Sequence, residues 1–233
     1  MKLTTDSEIV CTLANIRGIQ LIVADVRGSI ATGIILHELS RDDYGLRQIE
    51  FGFGDIVVDI GAHVGVFSMY LAKRYPFLSI ISFEPTPCNF VNLKRNLQLN
   101  GVGNVHACNL AVTADGRNIQ MLVDPRNTGG ASGFVQTATP EQQVFAARST
   151  TLDAIFADYG LTSCKMLKID CEGAEHEVLR ATRILPHIEH LGAEFHENAH
   201  LRTLGHTVDG LISFVHSHIP ANRVRVTRCN MSE

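Results

Sequence analysis

The chain has 233 residues, 45% of them hydrophobic and 19% charged, with a formal net charge of −4. That length fits one domain with extensions, the balance excludes a disordered chain, and the acidic sign argues against the broad basic surface of a nucleic-acid binder. No apolar run approaches the ~18 residues of a membrane span, and Met1-Lys2-Leu3-Thr4-Thr5-Asp6-Ser7-Glu8 carries acids where a signal peptide has an apolar stretch. Cys11, Cys88, Cys108, Cys164, Cys171 and Cys229 include no C-x-x-C pair. They are therefore read as reduced thiols packed in a cytoplasmic protein, with no thiol-based metal or redox motif expected.

After the turn residues Gly52, Gly54 and Asp55, the run Ile56-Val57-Val58-Asp59-Ile60 reads as a buried strand. Gly61 to Gly65 form a glycine-punctuated turn, Val66 to Arg74 a helix, and Leu78 to Phe83 a second strand. Thr86 as cap, Pro87 at the first position and Gly101 at the exit predict the next helix, with Phe90, Leu93 and Leu97 on one face. Asn104 to Val112 is expected as a third strand. The stretch Asp124 to Ala138 has loop chemistry, Asp-Pro-Arg-Asn-Thr-Gly-Gly-Ala-Ser-Gly, and its flanks Ile119 to Val123 and Val144 to Ala147 can pair as a hairpin. A long insertion of this kind in a compact domain is often functional.

Thr150-Thr151-Leu152-Asp153 opens a further helix, with Thr150 and Asp153 at capping-box positions. Met166 to Asp170 is a fourth strand, Gly173 to Leu185 a helix and His190 to Phe195 a fifth strand. Val208 to His216 and Arg223 to Thr227 read as a closing helix and strand. Strands that alternate with helices in this way predict an α/β chain with a parallel sheet.

Acids stand at the ends of three of these strands. Asp59 precedes a turn in which Gly61 and Gly65 permit close backbone approach to a ligand, and the following helix opens with free N–H groups. The turn lacks the third glycine of a dinucleotide fingerprint. Glu84 follows 25 residues after Asp59, where an acid in a nucleotide-binding sheet accepts both ribose hydroxyls. Asp170 and Glu172 flank the next strand-to-helix turn, beside the crevice where such sheets bind ligands. Glu175 reads as an acid suited to the dipole of its own helix.

Asp59-x-Gly61-Ala62-His63-x-Gly65, Phe83-Glu84-Pro85 with Asn89 and Asn96, Thr151-Leu152-Asp153 and Lys168-Ile169-Asp170-x-Glu172-Gly173-Ala174-Glu175 together resemble the FkbM-type methyltransferases over residues 38 to 195. These are class I enzymes that use S-adenosyl-L-methionine. The resemblance implies a Rossmann-like class I methyltransferase fold: a mostly parallel seven-stranded sheet, helices on both faces and one antiparallel strand near the C-terminus. Residues 1–37 are then an extension packing on the core, and 38–233 the methyltransferase domain.

The resemblance places cofactor contacts at Asp59, Gly61, Ala62, His63, Gly65, Glu84, Pro85, Asn109, Leu110, Ala111 and Asp170. Gly61, Ala62, His63 and Gly65 wrap the methionine part, Glu84 holds the ribose, and Asn109-Leu110-Ala111 borders adenine. The expected reaction is O-methylation of a small molecule or sugar. N-methylation, a macromolecular acceptor and a nucleotide-binding protein without chemistry are the alternatives. A hydroxyl acceptor needs its proton removed by a group within hydrogen-bond reach; the catalytic candidates are Asp170, Glu172 and His196, with Glu194 as a further base.

His196-Glu197-Asn198-Ala199-His200 matches H-E-x-x-H by letter. That motif needs a helix to bring both histidines to zinc, and here it follows a predicted strand. No metal site is assigned from it, and His196 and His200 are read instead as residues able to line the acceptor pocket. Tyr44 reads as a packing aromatic as readily as one that folds over the cofactor.

Overall fold

The structure, a computed structural model, describes residues 8–124, 127–133 and 142–230. An antiparallel hairpin of β1 (Ile9–Ile16) and β2 (Ile19–Val26) comes first, followed by α1 (Ala31–Arg41). The central run is β3 (Ile56–Ile60), α2 (Val66–Arg74), β4 (Ser79–Phe83), α3 (Pro87–Leu99) and β5 (Val105–Cys108). Short β6 (Ala111–Val112) leads to β7 (Ile119–Asp124), β8 (Asn127–Ser132), β9 (Gln143–Ala147) and β10 (Ser149–Thr150). The second half is α4 (Leu152–Asp158), β11 (Cys164–Ile169), α5 (Glu175–Ala181), β12 (Ile188–Glu197), α6 (Ala199–Thr203), α7 (Val208–His216) and β13 (Val224–Asn230).

The main sheet has six strands in the order β13-β12-β11-β3-β4-β5, and every neighbouring pair is parallel. The fold is the expected Rossmann-like α/β arrangement. The expected seventh strand and antiparallel C-terminal strand are not found among the described residues. β13 runs parallel to β12 because α7 carries the chain back to the same end of the sheet before it re-enters, as a parallel connection requires.

Alternate residues of each central strand enter opposite cores. Val57, Ile80 and Met166 pack with α2, α3 and the β1–β2 hairpin, while Val58, Ile81 and Leu167 pack with α4, α5 and α7. Burial on both faces explains why these strands read as short continuous apolar runs. Strand order reverses between β3 and β11, so the loops after these strands diverge and leave a crevice at the carboxyl end of the sheet.

The N-terminal hairpin is clasped by side-chain amides of α3. Asn96 accepts from the N–H of Ala24 at 2.7 Å and donates to the carbonyls of Ala24 at 3.0 Å and Val64 at 2.9 Å. One turn later Asn100 accepts from the N–H of Ile22 at 2.9 Å and donates to its carbonyl at 2.7 Å. Two amides thus satisfy alternate backbone groups of β2 as a neighbouring strand would. α1 runs across the 37/38 boundary drawn from the sequence.

Other differences have local causes. The expected strand 104–112 breaks at Asn109, whose amide turns to donate to the carbonyls of Glu84 at 2.8 Å and Pro85 at 3.0 Å. α4 is capped by Thr151, whose hydroxyl accepts from the N–H of Ala154 at 3.0 Å, and not by Thr150, which lies in β10. α5 begins only at Glu175, because Glu172 and Gly173 take left-handed φ values of 54° and 105° in the turn before it. The expected pairing of β7 with β9 is present. β8, inside the stretch read as loop, adds a third strand to that sheet. Residues 125–126 and 134–138 of that stretch, and residues 1–7, lie outside the described residues.

Asn96 is fully buried, so Asn96→Leu leaves the N–H and C=O of Ala24 and the C=O of Val64 without their partner. Urea unfolding should show a loss of about 2–4 kcal/mol for Asn96→Leu, and about 1 kcal/mol for the more exposed Asn100→Ala.

Candidate active site

The turn after β3 is built to approach the turn after β11. Gly61 has φ +78°, and a Cβ placed there would lie 1.7 Å from the carbonyl oxygen of Asp170. Only glycine allows the two strand ends to meet this closely. His63 also lies in the left-handed region, at φ 50°. Its ring is buried, its Nε2 lies 2.8 Å from the Thr128 hydroxyl, and burial pushes its pKa down to about 4. The imidazole is therefore neutral near pH 7 and shapes the turn rather than moving protons.

Glu84, at the end of β4, is 4% exposed. Its carboxylate accepts from the N–H of His63 at 2.8 Å and of Thr86 at 2.8 Å, with the Asn89 amide further away at 3.4 Å. Burial raises its pKa, opposed by these hydrogen bonds. A carboxylate offers about four acceptor positions, so backbone anchoring leaves capacity facing the cleft. The Thr86 hydroxyl, buried on the same wall, has no hydrogen-bond partner among the described residues.

Beneath the Gly61 turn lies Lys168, 3% exposed. Its ammonium donates to the carbonyl of Gly61 at 2.7 Å and lies 3.5 Å from both Asp59 and Asp170. The Tyr44 ring stands 5.8 Å away, with its hydroxyl donating to Glu38 at 3.0 Å and to Glu194 at 3.4 Å. Burial alone would lower the Lys168 pKa, but Asp170, Asp59, Glu194 and Glu38 raise it above its ordinary value. Burial, with Asp170 and Glu38 nearby, pushes Glu194 up to about 8.

The turn after β11 carries a second linked group. Glu175, fully buried, accepts from the N–H groups of Cys171 at 2.7 Å and Gly173 at 2.9 Å, and from His196 Nδ1 at 3.1 Å. It is thus more than the dipole-matched acid expected from sequence: it fixes the ring of His196. His196 Nε2 lies 3.6 Å from Glu172 Oε2. Burial would lower the pKa of His196, but Glu175 and Glu172 raise it well above the ordinary value. Glu172, in its left-handed turn, is raised to about 7 by burial, against the opposite effect of His196.

These groups open on a cleft of about 1360 Å³ lined by Gly61, His63, Glu84, Pro85, Leu110, Ala111, Asp170, Glu172, Glu194 and His196, among others. Asp59, Ala62, Gly65 and Asn109 stand behind its wall. Asp59 is tied to Ser68 at 2.7 Å, Gly65 caps α2, and Asn109 holds the Glu84-Pro85 backbone. β8 crosses the cleft and is pinned at both ends. Thr128 bonds His63 and lies 3.1 Å from the Ser29 hydroxyl, its carbonyl accepts from Asn89 at 2.8 Å, and Ser132 donates to the carbonyl of Glu172 at 2.7 Å.

The H-E-x-x-H stretch does not form a helical zinc motif. His196 lies on β12, Glu197, also on β12, accepts from the N–H of Val208 at the start of α7 at 2.6 Å, and His200 sits on α6. His196 lines the cleft; His200 is not among the described residues that do. Sequence reasoning missed Thr128 and Glu38 as parts of the site. It also missed the central place of Lys168, although a lysine inside the apolar run of β11 was a signal, since lysine is rarely buried without partners.

The donor set suits S-adenosyl-L-methionine. A buried, anchored carboxylate would accept from a ribose diol, apolar Pro85 and Leu110 would border a purine, and an acid-rich end would balance an ammonium and a sulfonium. The Methyltransferase FkbM domain matches residues 59–207. "Methyltransferase 1" of Beauveria bassiana is 27% identical over 143 residues, covering 53% of this chain and 57% of that protein, so the chain spans a little over half its length. The 31-O-demethyl-FK506 methyltransferase FkbM of Streptomyces tacrolimicus is 27% identical over 194 residues, 70% of this chain and 74% of that one. Among solved structures, the precorrin-6y C5,15-methyltransferase of Geobacter metallireducens covers 76% of this chain and 70% of its own, at 16% identity and a TM-score of 0.41. The chain belongs to the FkbM family of S-adenosyl-L-methionine-dependent methyltransferases.

Proposed function

We propose that this protein transfers a methyl group from S-adenosyl-L-methionine to a hydroxyl oxygen of a small molecule or sugar. The observation that carries the reading is the pairing of two differently built ends in one cleft: the backbone-anchored Glu84 at one, the carboxylate–imidazole group of Glu172, His196 and Glu175 at the other. When bound, the cofactor supplies a methyl carbon activated by its sulfonium.

The protein's part is chiefly alignment, which carries much of the rate in a displacement of this kind. Glu84 accepts the ribose hydroxyls, and Leu110 and Ala111 border the adenine. The backbone of Gly61 and His63 wraps the methionine portion, with Asp59, Ala62, Gly65 and Asn109 supporting these contacts from behind the wall. Asp170 faces the amino group. Glu172 receives the acceptor's proton, and His196, aimed by Glu175, holds Glu172 in place. Six free thiols support a reducing, cytoplasmic location; no helix among the described residues is long and apolar enough to cross a membrane.

Calorimetric titration should show Glu84→Ala weakening S-adenosyl-L-methionine binding by roughly 1.5–3 kcal/mol, the scale of a hydrogen bond to a charged group, with Glu84→Gln milder. The raised pKa of Glu84 adds a pH signature. Its carboxylate protonates at a higher pH than an ordinary acid, so affinity should begin to fall on acidification while exposed carboxylates are still ionised. Glu84→Gln should lose that acid limb; unchanged binding in Glu84→Ala would remove the ribose role.

Steady-state kinetics should separate binding from chemistry at the other end. Glu172→Gln should lower turnover at saturating cofactor by about 10²–10⁴-fold, the scale of general acid–base catalysis, with little change in cofactor affinity. A variant that loses affinity and keeps turnover would assign Glu172 to the cofactor instead.

A further inference from the structure

The acceptor end of the cleft holds more ligating atoms than a proton acceptor requires. β12 and β13 run parallel with His196 opposite Cys229 and Glu194 opposite Thr227. Glu194 and His196, two residues apart, share one face of β12, and the thiol of Cys229 joins them from the next strand. The thiol donates to Glu194 Oε2 at 3.2 Å, and that oxygen lies 4.0 Å from His196 Nε2. The ligand atoms of Glu194, His196 and Cys229 all lie within 4.8 Å of one another.

These separations resemble the edges of a coordination polyhedron. Tetrahedral zinc, with bonds of about 2.0–2.3 Å to nitrogen, oxygen and sulfur, has ligand–ligand edges of about 3.3–3.8 Å. A second feature is independent of the cluster. His196 Nδ1 is held by Glu175 at 3.1 Å, and Glu175 is in turn fixed by two backbone N–H groups. A buried carboxylate on one ring nitrogen, with the other turned toward carboxylates and a thiol, is the outer arrangement that orients metal-ligating histidines. All three candidate ligands open on the cleft, so an ion has an entry path.

We infer that Glu194, His196 and Cys229 bind a divalent transition-metal cation at the acceptor end of the cleft. Thiolate, imidazole and carboxylate together select a borderline ion such as zinc, iron(II) or cobalt(II), and disfavour magnesium or calcium, which take oxygen donors. Three protein ligands leave a coordination position open, as catalytic sites do. Glu172, 3.6 Å from His196 Nε2, stands beside the cluster.

The role of the ion rests on the methyl-transfer reading. An acceptor oxygen bound at the open position loses its proton more readily, the proton passes to Glu172, and His196 fixes the ion. Ligation takes Cys229 as thiolate, His196 with its Nε2 deprotonated and Glu194 as carboxylate, so binding breaks the thiol–Glu194 hydrogen bond and releases the protons these groups carry to solvent.

Cobalt(II) is the probe. The full chain, stripped with chelator and desalted, is titrated while its absorption spectrum is recorded. Visible ligand-field bands and a near-ultraviolet thiolate charge-transfer band should grow together and saturate at one equivalent. Cys229→Ser should remove the charge-transfer band and keep the ligand-field bands. His196→Ala should abolish saturable binding, and Glu175→Gln should weaken it by roughly 10–100-fold. Cys11→Ser, which alters an exposed thiol, should leave the spectrum unchanged. Absence of the charge-transfer band, or its survival in Cys229→Ser, overturns the inference. S-adenosylhomocysteine binding, measured on the same stripped chain, keeps the two readings apart. A chain that binds this product without the cobalt band loses only the ion site. One with a Cys229-dependent band that does not bind the product keeps the ion site and loses the methyl-transfer reading.

Discussion

Burying an ammonium costs several kcal/mol even after the surroundings relax, and Lys168 is buried where the sheet reverses its strand order. Its compensation comes from both sides of that reversal: the Gly61 carbonyl and Asp59 on the β3 side, Asp170 on its own strand end. Removing the lysine would leave Asp59, which is fully buried, facing Asp170 with no cation between them. The shape of the crevice depends on this tie, because the same contact brings the Gly61 backbone against the carbonyl of Asp170. The glycine and the lysine are two parts of one constraint. One permits the approach, and the other neutralises the charge that the approach concentrates.

The surplus of acid around Lys168 has a functional consequence. Asp170, Glu172, Glu194 and Glu38 converge on one end of the cleft, and burial first, then repulsion from the neighbouring acids, raises Glu172 and Glu194 to about 7 and about 8. A positively charged ligand at that end relieves this repulsion, and S-adenosyl-L-methionine brings both an ammonium and a sulfonium. At the other end the polar groups are few and rigidly held: Glu84 by two backbone N–H groups, His63 by Thr128. The strand that carries Thr128 also reaches Glu172 through Ser132, so the roof of the cleft is bonded to both loops that form its floor.

Much of this was legible in the sequence. The β3 and β4 runs, the glycine turn, α2 and α3 carry strong local signals, and local chemistry decides them in the structure as well. Glu84, Asp170 and Glu172, picked out by their place at strand ends, line the cleft. What escaped was set by tertiary contact. Nothing near Glu175 announces that His196, from another strand, will take its carboxylate. The sequence around Thr128 reads as loop because its glycines, Gly129 and Gly130, are needed for close approach to Ala31 and Asn127 and not for a turn. Nothing in the hairpin before α1 announces that part of its edge will be satisfied by the amides of Asn96 and Asn100 instead of a third strand. The sheet ends differently from expectation because the direction of β13 is fixed by a helical crossover rather than by any residue within the strand.

The central claim is that the crevice between β3 and β11 is a site for S-adenosyl-L-methionine and not for a dinucleotide. Calorimetric titration with S-adenosylhomocysteine and, separately, with NAD tests it most directly. The account predicts one-to-one binding of S-adenosylhomocysteine and no comparable binding of NAD, because the turn from Gly61 to Gly65 lacks the third glycine of a pyrophosphate cradle. Preferential binding of NAD, or no binding of S-adenosylhomocysteine by the folded chain, would contradict it.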